Sequence, residues 1–183
     1  MIFKNKTVII LGLVVAFTAC ASIPKNAKPV EDFELCRYLG TWYEIARLDF
    51  RFEKDLNNTS AHYDLDKKGR VTVLNSGYNY KKKEWTKAEG IAKFRKDTSI
   101  AALKVSFFGP FYSGYNVIAL DKNYQYALVV GKNLDYLWIL AREKTIPEEV
   151  KTNYLRIAQK IGYNTSDLIW VQHDKDVNPF EIK

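Results

Sequence analysis

Two histidines, His62 and His173, and two cysteines, Cys20 and Cys36, are the whole supply of imidazole and thiol in the 183-residue chain. General-base or nucleophilic catalysis needs such groups side by side, with a third group to orient them. His62 directly precedes Tyr63 in a β-prone run, so alternation sends the two to opposite faces and His62 outward. His173 stands near the far end of the chain, and "ELCRYLG" gives Cys36 no neighbouring His. No H-E-x-x-H or Gly-x-Ser-x-Gly signature is present, and the carboxylates Glu44 and Asp64 have no evident acid–base partner. No catalytic residue, metal site or cofactor is therefore expected. Cys36 reads as a small buried hydrophobe.

A second constellation is more informative. "YLGTWYEIAR" carries Gly40 and Trp42, and "YLWILAR", about a hundred residues later, ends in Arg142. A guanidinium over an indole face contributes about 0.5–2 kcal/mol. Gly40 allows a sharp entry before the Trp. The two segments must then be neighbours, and the elements between them have to bring them together.

Those elements keep a regular beat of strand signals and turns. "TWYEIARLDF", "TSAHYDLD", "VTVLNSGYNY", "EWTKAEGIAKF", "AALKVSFF", "GYNVIALD", "QYALVVG" and "YLWILAR" read as eight strands joined by tight connections. An antiparallel meander of eight closes into an up-and-down barrel, which leaves no open edge and makes the first and last strands neighbours. Trp42 and Arg142 then meet at one end and plug it. "PEEVKTNYLRIAQKIG" follows as an amphipathic helix, with Val150, Tyr154, Ile157 and Ile161 on one face. It has to pack outside the barrel, and "LIWVQH" adds a short final strand. The fold class is all-β with one external C-terminal helix.

With Trp42 inside, the parity of Arg142 turns Leu140, Trp138 and Tyr136 inward. Leu103, Val105 and Phe107 share one face of the fifth strand while Lys104 and Ser106 look out, and Tyr115 and Val117 join them from the sixth. Aromatic residues make up 14% of the chain, more ring than a small core needs, which suits a lined cavity. Its open end carries Arg51, Lys54, Lys81 to Lys83, Lys132 and the pair Phe111 and Tyr112, a rim suited to an anionic lipid surface.

The N-terminus reads separately. Lys4 and Lys6, an apolar run "TVIILGLVVAF" and the ending "FTAC" have the form of an export signal. That ending resembles a bacterial lipobox, in which Cys20 is lipidated. Residues 1–19 are then a signal peptide, 20–32 a lipidated tether, 33–175 the barrel with its helix, and 176–183 an unpatterned tail. With Ala21 and Ser22 next, sorting resembles that of outer-membrane lipoproteins in Gram-negative cells. The formal charge of +7 falls to +5 without Lys4 and Lys6. The cations are scattered at turns, which argues against nucleic acid as a partner.

Taken together, Gly40-x-Trp42, the Arg142 of "LWILAR", the eight-strand meander and the single helix strongly resemble the lipocalins over roughly residues 32–173. The family's middle motif, T-D-Y, is kept in part as "LDKNY". The resemblance implies that Tyr63 and Asn75 line the cavity beside Leu103, Val105, Phe107, Tyr115, Tyr136 and Trp138. Gly40, Trp42 and Arg142 form the barrel floor. It implies a membrane-anchored binder of fatty acids, lysophospholipids or similar small amphiphiles, serving storage or transport in envelope maintenance, with no cofactor and no enzymatic activity. A homodimer is compatible with it. Two alternatives are a filled barrel whose rim docks a partner, and an enzyme acting on oxidised lipid through Cys36.

Overall fold

The computed structural model describes residues 22–182; the expected export signal and the expected lipidation site, Cys20, lie outside the described residues. Eight strands follow a short helix α1 (Leu35–Tyr38): β1 (Gly40–Leu48), β2 (Leu56–Leu65), β3 (Val71–Asn79), β4 (Glu84–Phe94), β5 (Ala102–Phe108), β6 (Phe111–Leu120), β7 (Tyr126–Val130) and β8 (Leu137–Ala141). Each pairs antiparallel with the next, and β1 pairs with both β2 and β8, so the barrel is closed. Helix α2 (Glu148–Ile161), a 3-10 turn (Thr165–Asp167) and β9 (Leu168–Trp170) complete the chain order.

Two strands run further toward the open end than their residue types suggest. β2 starts at Leu56, and β6 starts at Phe111, directly opposite Phe108. The stretch "GPFYS" is thus a tight hairpin rather than a loop.

β7 and β8 are apolar along their whole length because both of their faces are buried. Ala127, Val129 and Leu140 belong to the inner cluster with Trp42, while Leu128, Val130, Leu137, Ile139 and Ala141 meet α2 outside. The helix contributes Tyr154, Ala158 and Ile161 to that outer cluster, with Val150 and Ile157 at its margin. Glu148 and Glu149 in its first turn and Lys160 in its last suit the helix dipole. Gly162 ends it in the left-handed conformation, φ 115°, which a glycine enters without steric cost.

β9 pairs with Ala46–Leu48, beyond the point at which β2 leaves β1 at Tyr43. It continues the edge that β2 leaves unpaired.

Two expectations differ from the structure. Residues 22–32 do not read as a free tether, because their backbone joins the barrel: Val30 N donates to Val117 O at 2.9 Å and Ala101 N to Val30 O at 2.9 Å. Ser22 meets Arg95, and its carbonyl accepts from Asn116 Nδ2 at 3.0 Å. The tail, too, is held along the wall: Asn178 Nδ2 donates to Ser76 Oγ at 2.8 Å, and Tyr43 donates to Glu181. Cys36 is exposed, not buried. On α1 the inward residues are Leu35 and Tyr38, three apart and on one face, which leaves Cys36 turned to solvent.

Candidate functional site

The floor is built around Trp42, which is fully buried. Arg142 lies over its indole with the guanidinium carbon 4.0 Å from the ring centroid. The Tyr38 ring packs 4.7 Å from it, and Trp42 Nε1 donates to Tyr38 O at 2.8 Å. The Arg142 guanidinium donates to the carbonyls of Thr41 at 2.8 Å, Arg37 at 2.9 Å and Leu39 at 2.8 Å, and to Tyr124 O from Nε at 3.2 Å. Arg142 thereby gathers the carbonyls at the end of α1 and closes the barrel. Gly40 has φ 90°, and a Cβ placed there would stand 3.4 Å from Arg142 Nη1. A side chain at residue 40 would be strained by that backbone conformation and would touch Arg142.

Above this floor the barrel is hollow. A cavity of about 740 Å³ runs up to the mouth, within the usual range for small-molecule sites. All eight residues picked out in the sequence, Tyr63, Asn75, Leu103, Val105, Phe107, Tyr115, Tyr136 and Trp138, stand in its wall. Val117, expected beside them, is fully buried in the inner core below. Val71, Val73, Ala92 and Leu140 complete an apolar lining.

Its polar atoms are few and grouped by depth. At the bottom Tyr38 and Tyr115 share a hydrogen bond of 2.7 Å, and Tyr63 Oη donates to Tyr115 Oη at 2.8 Å. Burial pushes all three phenols up, so the base of the cavity is polar but uncharged. Half-way up, Asn75 presents a buried Oδ1 that accepts no hydrogen bond among the described residues.

Nearer the mouth is a group the sequence reading missed. Glu44, judged to lack a partner, is bound by Arg47 Nη1 at 2.8 Å, both side chains being buried. Glu53 enters from the β1–β2 connection, with Oε2 3.8 Å from Arg47 Nε and accepting from Trp138 Nε1 at 3.1 Å. Parity should put residues 44 and 47 on opposite faces. The pairing of β1 with β8 shifts between Glu44 and Ala46, however, and the bulge brings both to the interior. The one signal for this was an Arg set among apolar residues in "EIAR", three positions from an acid.

The rim is aromatic and cationic. Phe52, Phe108 and Phe111 are 58%, 66% and 79% exposed, and the Phe52 and Phe108 rings pack 5.9 Å apart. Arg51, Lys54 and Lys132 also line the opening. Lys81, expected as a free rim cation, is 3.0 Å from Asp55, and Lys82 is 3.9 Å from Glu84. Tyr112 is turned between Lys93 and Lys104, 5.5 and 5.2 Å from its centroid.

Neither histidine touches the cavity. His62 Nδ1 is 2.8 Å from Thr41 Oγ1, and His173 Nε2 lies 2.8 Å from Glu44 O. Among the described residues, no three His, Cys, Asp or Glu side chains are grouped to hold a metal ion.

A floor plugged by an arginine-capped tryptophan beneath an open apolar cup is how lipocalins are made, and the chain belongs to that family. Residues 33–173 match the lipocalin-like domain. Outer membrane lipoprotein Blc of Citrobacter freundii is 52% identical over 171 residues, which cover 89% of this chain and 97% of that one. Apolipoprotein D of Cavia porcellus is 38% identical over 141 residues, covering 72% and 71% of the two chains. Among solved structures, insecticyanin of the tobacco hornworm Manduca sexta superposes with a TM-score of 0.66 at 25% identity, covering 80% of this chain and 84% of its own.

Proposed function

We propose that this protein is an outer-membrane lipoprotein, anchored through Cys20, that holds fatty acids, lysophospholipids or similar single-chain amphiphiles in its barrel for storage or transport in envelope maintenance. The observation that carries the reading is the cavity: about 740 Å³ of hollow apolar wall with uncharged hydroxyls at its base and an open, cation-bordered mouth. Each methylene moved from water into such a wall gains about 0.8 kcal/mol. A barrel filled by its own side chains would have no such space. Catalysis on a bound lipid by Cys36 is disfavoured, since that thiol is on the outer side of α1 and does not line the cavity. The bacterial relatives, outer membrane lipoproteins by name, favour the outer membrane as the site of action.

The test uses the chain with Cys20→Ser, purified without detergent. Native mass spectrometry should find co-purified lipid, and titration with a lysophospholipid should change Trp fluorescence saturably, less so in Trp138→Phe. No bound mass and no saturable response to any amphiphile would overturn the reading.

A further inference from the structure

An apolar cup for a fatty chain has no need of buried charge, yet three ionisable side chains meet in its upper wall. Glu44 and Arg47 come from β1, and their ion pair is closed at 2.8 Å with side chains 7% and 1% exposed. Glu53, with a side chain 13% exposed, comes from the β1–β2 connection. Arg47 Nη2 holds that connection in place, donating to the carbonyls of Glu53 and Leu56 at 2.9 Å each. A single guanidinium thus faces two carboxyl groups, and its direct hydrogen bond goes to Glu44. Glu53 is left at 3.8 Å from Arg47, with the indole N–H of Trp138 as its hydrogen-bond donor. Glu53 and Trp138 both line the cavity.

Resting on the reading of the barrel as an amphiphile carrier, we propose that Glu53 is the residue by which the cavity distinguishes the charge of a ligand's polar end. Protonated, its carboxyl donates a hydrogen bond to an anionic oxygen; ionised, it repels one. A neutral end, such as a glycerol hydroxyl, is accepted by either form.

The surroundings place this change in a usable range. Burial, and then the charge of Glu44, push the Glu53 carboxyl up to about 8, against the opposing pull of Trp138 and Arg47. The other groups that bear on it are Tyr63 from β2, neutral throughout, and Arg51, Lys54 and Lys132 at the mouth. These last three are exposed and screened by water, and their attraction for an anionic end is the same in the parent chain and in Glu53→Gln. A pH effect that depends on residue 53 therefore reports binding at the depth of Glu53 rather than at the rim.

The experiment compares two twelve-carbon probes by calorimetry at sub-micellar concentration: dodecyl sulfate, anionic throughout, and neutral monododecanoylglycerol. The protein is the unlipidated Cys20→Ser chain, since residues 22–182 contain the whole barrel and both of its cores. Between about pH 7 and about pH 9, linkage to one proton near 8 should weaken dodecyl sulfate binding about tenfold. Monododecanoylglycerol should change less than about twofold, and Glu53→Gln should bind dodecyl sulfate alike at both pH values. Trp138→Phe gives a second readout that does not depend on the Gln variant folding. Loss of the indole donor destabilises the carboxylate, so the fall in affinity should move to higher pH. A tenfold fall that persists in Glu53→Gln, or no fall in the parent chain, overturns the proposal and leaves the carrier reading standing. Failure of both probes to bind at either pH overturns the carrier reading itself, and the role of Glu53 with it.

Discussion

The barrel has a buried or half-buried guanidinium near each end, and the two are satisfied in opposite ways. Arg142 at the floor faces carbonyl oxygens and the Trp42 indole, and no carboxylate pairs with it among the described residues. Arg47 near the mouth faces two carboxyl groups and two carbonyls. Carbonyls and an indole do not titrate, so the floor is a fixed piece of architecture. Carboxyl groups do, so the charge balance of the upper wall depends on pH and on what enters the cavity. One end of the barrel is held by groups that do not titrate, and the other is built of groups that do.

The largest expected effect is at the mouth. Arg47→Met would leave Glu44 buried without its counter-charge, and removing one partner of a buried pair costs about 3–5 kcal/mol. Urea unfolding of the unlipidated chain should show this as a lower midpoint. Adding Glu44→Gln should recover part of the loss, since the stranded charge is then gone. Arg142→Ala should cost somewhat less, about 2–4 kcal/mol, from the cation–π contact and the charged hydrogen bonds to the Arg37, Leu39 and Thr41 carbonyls. Arg142→Lys should fall between, because one ammonium cannot reach carbonyls spread around a planar fork. Equal losses at both positions, insensitive to Glu44, would remove the contrast between the two ends.

A smaller effect separates the ends by pH. The Glu53 carboxyl is raised from 4.5 to about 8 in the fold. Between those values the native state holds a proton that the unfolded chain has released, so stability falls as pH rises through the window and levels off above about 8. Glu53→Gln lacks that penalty. Its melting temperature should therefore gain on the parent as pH rises from about 5 to about 8, whereas Arg142→Ala should differ from the parent by a constant amount above about pH 6.5, its charge bearing within this range only on His62, which is held below that value. His62 and His173 act in the other direction: burial lowers both below 6.5, so their contribution is lost as pH falls. Both chains share them, and they cancel in the difference. A flat difference for Glu53→Gln would mean that its carboxyl is ionised in the fold across this range.

What could be foreseen from the sequence divides along the same line. The floor was legible because Gly40, Trp42 and Arg142 are local signals, and a closed meander of eight strands brings its first and last members together. The lining was legible as long as the two-residue period held, which it does in β8 and, up to its own register shift after Val105, in β5. It fails in β1, where the register shift between Glu44 and Ala46 depends on the pairing with β8 and is marked locally only by Arg47 among apolar residues, three positions from Glu44. The Glu44–Arg47–Glu53 group was hidden for that reason. Residues 22–32 were misread because their Pro, Lys and Asn content is that of a linker. What orders them is backbone pairing through Val30 and the contacts of Ser22, which composition does not express. Cys36 was misplaced because a four-residue helix is too short to show a period.

The smallest effect concerns the outermost ring of the mouth. Phe111 is 79% exposed at the tip of the β5–β6 hairpin, while Tyr112, 39% exposed, is held between two lysines on the outer wall. If the rim meets a membrane, the two rings are not equivalent. Phe111 has apolar area to place at the acyl boundary, and each Å² removed from water contributes about 25 cal/mol. Most of the Tyr112 ring is already covered within the protein. Phe111→Ser should therefore weaken binding of the unlipidated chain to anionic vesicles by about fivefold, and Tyr112→Ser by less than about twofold. Raising the salt should weaken the parent and both variants alike, because Arg51, Lys54 and Lys132 act through screened charge. Vesicle co-sedimentation of the three chains decides it. Indifference to both substitutions would mean that the rim does not touch lipid, and that the exposed phenylalanines belong to the ligand's path into the cavity rather than to the surface from which it comes.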